Sequence, residues 1–430
     1  MKKNYQPRSM IVTIIPALIL LLASCNKIKP DLPVITAPVE QPAGLVTPVG
    51  VPAGNAGSKT IGSGGGSITS ADGRFTITIP AGALSTDKTI TVQPISNTNV
   101  AGTGTAYRTK PDGEIFAKPV TLTFHYTDAD TTGSFIEAMG IAYQDSKGVW
   151  QGSGGSIDKV NKTFSVTTTH FTDWAMFKYL ELVPGSGSLD FNESISLTVY
   201  NSLNDDELLI PQPPSPVKPI VKPKDVTAKY IKHWRLSGAG TLNPSGSSAT
   251  YTAPATLPAV NPAAIRVILN PPAGYIQEYS LVSNIYVGNG IAFRINNGVW
   301  NYAPSPVGVV HSAAATQMQG AVAINDQPAG AVTLRWSGSN HFGFFNWGQA
   351  LPSFLYAPGG NTSYYHYHLP PSGPVFSTGG IDFTHYGRNA GEFVMGTFYL
   401  DKAGMITTTN NTTISTQVKI DGYFRVKRTN

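Results

Sequence analysis

The chain has 430 residues and a formal net charge of +5, and only 13% of its residues are charged. With 44 Gly, 33 Pro and abundant Thr, Ser, Val and Tyr, it excludes a protein of long amphipathic helices and predicts an all-β chain of two to four domains. Cys25 is the single cysteine, which excludes disulfides, a Cys-based zinc site and an iron–sulfur site.

Lys2, Lys3 and Arg8 precede an apolar run, Ile11 to Ser24, interrupted by Pro16. The run is short for a membrane span, and a basic start, an apolar middle and small residues at the end make a secretory signal. Leu22-Ala23-Ser24-Cys25 resembles the lipobox of bacterial lipoproteins. That resemblance implies a signal peptide over 1–24, a diacylated Cys25 as mature N-terminus, and a lipid bilayer as partner. Three of the five net charges leave with the leader, so the remainder is nearly neutral. It has no basic stripe interleaved with aromatics, and nucleic acid is not an expected partner. No Asp follows Cys25, which by analogy with known sorting points to the outer membrane of a bacterial envelope. Residues 25–57, with Pro30, Pro33, Pro38, Pro42, Pro48 and Pro52, read as a disordered tether that rises about 3.1 Å per residue where extended.

Residues 58–178 show period-2 alternation at Phe75-Ile77-Ile79, Ile90-Val92, Val120-Leu122-Phe124-Tyr126 and Phe164-Val166, the pattern of half-buried antiparallel strands in a sandwich. Gly65-Gly66, Ile79-Pro80-Ala81-Gly82-Ala83, and Pro111-Asp112-Gly113 with Phe116-Ala117-Lys118-Pro119-Val120 resemble the ZU-five domain of zonula occludens proteins, netrin receptors and ankyrins. The resemblance implies a β-sandwich that mediates protein contacts. The death domain and ankyrin repeats that accompany it in eukaryotic signalling are missing from this sequence.

Residues 181–288 read as a second sandwich. Trp234 to Leu242, followed by Tyr251-Thr252-Ala253-Pro254, resembles the bacterial immunoglobulin-like repeat, which implies Trp234 as core tryptophan. The Pro211–Pro219 insert is unsuited to a central strand and reads as a loop, or as a linker whose flanks belong to different units. Residues 289–430 form an aromatic-rich β unit. Its Gly396-Thr397-Phe398 and Gly422-Tyr423-Phe424 resemble the end of small surface-lipoprotein domains, where Gly-x-Phe recurs on paired strands.

Three constellations carry possible chemistry. Some eukaryotic ZU-five relatives cut themselves at His-Phe-Ser, so the resemblance makes His170-Phe171-Thr172 a candidate self-cleavage site, with His170 as base and the Thr172 hydroxyl as nucleophile. The competing expectation is a final strand, with His170 in register with Phe164 and Val166, and Phe171 and Trp174 packing the domain end. His366 and His368 would share one face of a strand and form half a metal site, with His341, His385 or Asp382 as third ligand. Phe344, Trp347 and Tyr365 are candidate ligand-binding rings for a glycan. No Gly-x-Ser-x-Gly or His-Glu-x-x-His motif occurs, and no cofactor is expected. The resulting expectation is a membrane-anchored binding or structural protein with a protein or glycan ligand; the alternatives are self-processing between Phe171 and Thr172, or a glycan-active enzyme in the C-terminal unit.

Overall fold

The computed structural model describes residues 44–429 apart from 204–207, 271–277, 305, 313, 325–326, 339–342, 350 and 411. Cys25 and the first part of the expected tether lie outside the described residues. Every regular element longer than one 3-10 turn is a β-strand, and all named pairings but one are antiparallel.

The first unit is a two-sheet sandwich. One sheet runs Gly66–Thr69, Phe75–Ile79, Ile115–His125, Thr163–His170, Ser156–Asp158 in spatial order. The facing sheet runs Gly57–Ile61, Lys88–Ile95, Gly102–Lys110, Asp173–Lys178, Met139–Gln144, Trp150–Ser153. The alternating apolar residues read from sequence point inward: Phe75, Ile77, Ile79, Ile90, Val92, Leu122, Phe124 and Phe164 are buried together. Phe75 stacks on Tyr107 with centroids 4.8 Å apart and meets Phe124 edge-on. Each such ring contributes about 1.5–3 kcal/mol by leaving water. Gly65 has φ +74, and a Cβ there would lie 2.5 Å from the Ile79 carbonyl, so only glycine fits this turn.

The last part of the expected tether is not free. Thr47 bonds backbone to backbone with Gly148, and Val46 and Pro52 form bridges with Val149 and Ile95. The reason is polar satisfaction: the buried Trp150 indole N–H and the Gln144 amide both donate to Thr47 Oγ1 at 3.0 Å. Leaving those donors unpaired would cost about 1–3 kcal/mol each.

The first two units share one sheet. The strand Lys218–Asp225 pairs Lys218 and Pro219 with Gly152 and Gln151 of the first unit, then pairs Ile220, Lys224 and Asp225 with Ser194–Leu203 of the second. One sheet therefore continues across both units, through Ser248–Thr252 to Thr241–Ser245. The Pro-rich insert thus leads into a strand bonded on both sides. Pro219 sits next to the strand start and Pro223 opposite a register shift, where a missing N–H is tolerated. The second unit's other sheet is Ser186–Leu189, Ser280–Val287, Ala263–Leu269, Ile231–Ser237. A single core joins Trp150, Phe177 and Tyr179 to Leu197, Val199, Tyr251, Ile265 and Leu281.

Trp234 is not the core tryptophan that the resemblance implied. Ile231–Ser237 is an edge strand, so the Trp234 ring is only half-buried and its N–H reaches the Gly246 carbonyl at 3.1 Å. Tyr251 fills the centre instead, its hydroxyl bonded to the Ala239 carbonyl at 2.8 Å.

The third unit closes on itself. Gly290–Ile295, Trp300–Pro304, Thr316–Ile324, Gln327–Trp336, Ser353–Gly359, Thr362–Tyr365, Phe393–Thr409 and Thr412–Lys427 pair in sequence, and Thr412–Lys427 pairs back onto Gly290–Ile295. An eight-stranded ring has an interior that side chains alone fill, and here Phe293, Phe354, Tyr356 and Phe398 do so. The Gly-x-Phe repeats are reciprocal. Gly396 lies opposite Phe424 and Gly422 opposite Phe398, so each glycine makes room for the ring across from it.

The ring is fixed to the second unit by buried polar contacts. The Tyr423 hydroxyl donates to the Val287 carbonyl at 2.7 Å, and Asn261 donates to the same carbonyl at 2.9 Å. Arg425 lies 3.9 Å over the Phe393 ring and reaches Glu193 at 2.8 Å.

Candidate binding cleft

The His170 region combines two hollows around one aromatic partition. His170 ends the Thr163–His170 strand, and its ring meets Tyr143 edge-on at 4.9 Å and lies 5.7 Å from Trp174. Burial pushes the His170 pKa below its ordinary value, an effect the Asp112 charge partly offsets. The imidazole is therefore neutral near pH 7. Its Nδ1 is 3.1 Å from Thr168 Oγ1.

On one side of His170 and Tyr143 lies a cleft of about 930 Å³, within the range of ligand sites. It is walled by Ile141, Tyr143, Val166 and Trp174, by Ser and Thr hydroxyls from both sheets, and by Pro214 and Val217 of the inter-unit linker. No Asp, Glu, Lys or Arg lines it. The Trp174 side chain is only 4% exposed, and its indole N–H has no acceptor. A buried donor left unpaired costs about 1–3 kcal/mol, a cost carried here by a ring that lines the cleft. On the other side lies a charged hollow of about 700 Å³ with Arg108, Lys110, Asp112, Asp145 and Asp173. There Arg108 grips Asp173 through two bonds of 2.8 and 2.7 Å, a pairing that holds the guanidinium more firmly protonated.

The cleft also contains an open strand edge. Ser156–Asp158 covers only Thr163–Ser165. The chain crosses between the sheets at Gly155, where a Cβ would fall 2.4 Å from the Ser165 carbonyl. From Val166 onward this edge has no strand partner among the described residues.

The three residues of the candidate self-cleavage site are turned to different partners. Phe171 is buried edge-on against Phe116 at 4.7 Å. The Thr172 hydroxyl donates to the Gln144 carbonyl at 2.8 Å, and the Thr172 N–H donates to Thr109 Oγ1 at 3.2 Å. No hydrogen bond joins the Thr172 hydroxyl to His170 among the described residues. The structure thus gives the strand-end packing of Phe171 and Trp174, and not a base held on a nucleophile.

The two candidate metal histidines do not share a strand face. The strand breaks at His366, which lies between Thr362–Tyr365 and Tyr367–His368. His366 is buried, with Nε2 3.2 Å from the Gly348 carbonyl and Nδ1 accepting the Phe354 N–H at 3.4 Å. His368 Nε2 meets the Gln417 amide at 2.9 Å. Asp382 is half-buried, its pKa raised by burial, and His385 is exposed. His341 lies outside the described residues, and among the described ones no three His, Cys, Asp or Glu side chains are grouped to hold a metal.

Of the candidate glycan-binding rings, Trp347 is 5% exposed and its N–H is spent on the Tyr399 carbonyl at 2.7 Å. It is a packing residue. Tyr365 is half-buried against Tyr367 at 5.2 Å. Phe344 is 41% exposed and stacks on Tyr399 at 5.9 Å, and so forms an open aromatic pair.

The cleft around Tyr143 and Trp174 was not read from sequence. Its signals are the run Ser165-Val166-Thr167-Thr168-Thr169, rich in hydroxyls on both faces, and the Gly154-Gly155 crossover before it. No protein-family model matches the chain, and no curated protein does. No helix among the described residues is long and apolar enough to cross a membrane.

Proposed function

We propose that this protein is a lipid-anchored binding module of a bacterial envelope, held at the outer membrane through Cys25, and that it takes a neutral ligand in the Tyr143–Trp174 cleft. The single observation that carries the binding reading is the uncharged, hydroxyl-lined cleft of about 930 Å³ beside Tyr143 and Trp174. The surrounding Ser and Thr hydroxyls offer donors and acceptors, and Tyr143 and Trp174 offer apolar ring surface. The anchor rests on the lipobox residues, and the ZU-five and immunoglobulin-like assignments rest on the motifs quoted above. The joined core of the first two units supports a presenting role, because the cleft is framed by rigid sheets and by Pro214 and Val217.

Two experiments test the reading. Mass spectrometry of the mature N-terminus should find a diacylated Cys25, and Cys25→Ser should release the chain from membranes. Tryptophan fluorescence of the full chain should respond to neutral oligosaccharides or uncharged peptides, and Trp174→Phe should remove that response. A chain that stays soluble in wild-type form overturns the anchor. Silence of Trp174 to both ligand classes overturns the cleft.

A further inference from the structure

Resting on that cleft, we infer that its ligand is an extended, uncharged segment of another polypeptide, which adds as a strand to the open edge of Val166–Thr168. In an antiparallel pair, residues alternately bond to one neighbour and then to the other. Tyr126 N–H bonds to the Lys162 carbonyl at 2.9 Å, which puts Phe164, Val166 and Thr168 in the set bonded toward Ile115–His125. Thr163 and Ser165 turn the other way, to Asp158 and Ser156. Thr167 continues that outward set, and the strand that would receive its N–H and C=O has already crossed to the other sheet at Gly155. Such an edge is a template for an incoming strand.

The cleft runs beside this edge on both of its faces. Val166, Thr168, Tyr143 and Trp174 lie within it, and so do Ser165 and Thr167. An added strand sends alternate side chains to the two faces, so one set would enter the Tyr143–Trp174 side and the other would lie over the threonines. At about 3.3 Å per residue, about three residues of ligand match the regular open edge, Val166–Thr168, centred on Thr167.

The molecule already uses this mode nearby. The neighbouring edge at Gln151–Gly152 receives Lys218–Pro219, and Val149 and Ile95 receive Val46 and Pro52. Those guests are extended and rich in Pro and Val, and Pro214 and Val217, which border the open edge, belong to one of them. The uncharged lining selects against charged segments, which would be desolvated without a partner. No lysine or proline stands between Val166 and His170, and the register shift between Thr168 and His170 ends the regular edge at Thr168.

The test uses the full chain and a library of capped hexapeptides built from Val, Ile, Thr, Ser, Ala and Pro, with neutral hexose oligosaccharides in parallel. The expected result is a peptide that slows amide exchange at Thr167 about tenfold and shifts Trp174 fluorescence. N-methylation at alternate peptide amides should weaken it roughly tenfold per blocked hydrogen bond. Thr167→Pro should remove binding while leaving the fold's circular dichroism intact, and the N-methylated peptides carry the test should that variant fail to fold. Oligosaccharide binding at Trp174 without protection of Thr167 overturns the strand inference and leaves the cleft as a binding site. Silence of both probes at Trp174 overturns the inference and the cleft reading together.

Discussion

The Thr172 hydroxyl is 2.8 Å from the Gln144 carbonyl, and the Thr172 carbonyl accepts from Thr109 through both its N–H and its hydroxyl, at 3.1 and 2.8 Å. A nucleophile committed in this way is not poised on the Phe171 carbonyl, so the Phe171–Thr172 bond should stay intact. Purified protein should run as one band on denaturing gels after days at neutral pH, and two fragments parting at residue 171 would reverse that conclusion. His366 makes a second prediction at this scale. Burial lowers its pKa, and the Phe354 and Gly348 carbonyls offset this only in part; His170 is lowered in the same direction. The unfolded histidines take up a proton near pH 6.5, while the folded ones resist. Their contribution is therefore complete above about pH 6.5 and is lost as pH falls below it. Unfolding free energies should drop as pH falls below about 6.5, by up to about 1.4 kcal/mol per unit of depression for the buried His366 and by less for the half-buried His170, where solvent screens the effect. His366→Gln should flatten part of that slope, and an unchanged slope would show that the imidazole does not titrate differently on folding.

Among the elements, the paired strands Phe393–Thr409 and Thr412–Lys427 show what a glycine does when a ring lies across from it. A Cβ on Gly396 would come within 2.5 Å of Phe424, and one on Gly422 within 2.4 Å of Phe398. Gly→Ala in a strand ordinarily stabilises by restricting the unfolded chain. Here each substitution should cost about 1–3 kcal/mol through overpacking, read as a lower thermal midpoint. Gly64→Ala, with no atom within 4 Å of the new Cβ, is the control and should be nearly neutral. The same elements show what a sequence reading reaches. The alternation at Phe75-Ile77-Ile79 names buried residues correctly because each strand's inward face is written locally. Trp234 misled because its motif says nothing about which strand ends at a sheet edge. Pro219 misled because tolerance of a proline depends on its register against Gln151, which is set by a pairing distant in sequence. The open edge at Thr167 was hidden for the same reason: the absence of a neighbour leaves no mark in the strand that lacks it.

At the scale of the molecule, the boundary near residue 180 divides the chain and not the core. Asp173–Lys178 belongs to the first unit and Leu180–Val183 to the second, with Tyr179 between them, its hydroxyl bonded to the Glu137 carbonyl at 2.6 Å. Phe177 explains why no linker is needed. Its ring occupies space left by Gly140 and Gly152, and it shares a core with Leu197, Tyr251 and Leu281. Period-2 patterns locate strands on either side of this point and suggest two sandwiches, because they record which face is apolar but not whose apolar face it meets. A fused core makes the first two units one cooperative body. Phe177→Ala removes a ring that both units use and should cost about 3–5 kcal/mol. Hydrogen exchange should then quicken together at Phe75–Ile79, which lies in the first unit, and at Ala263–Leu269, which lies in the second. In independent sandwiches only the first of these would respond, and the two units would melt as separate calorimetric transitions. Coupled melting would also bear on the cleft, since Pro214 and Val217 stand beside Trp174 only while Lys218–Asp225 keeps its bonds to both units.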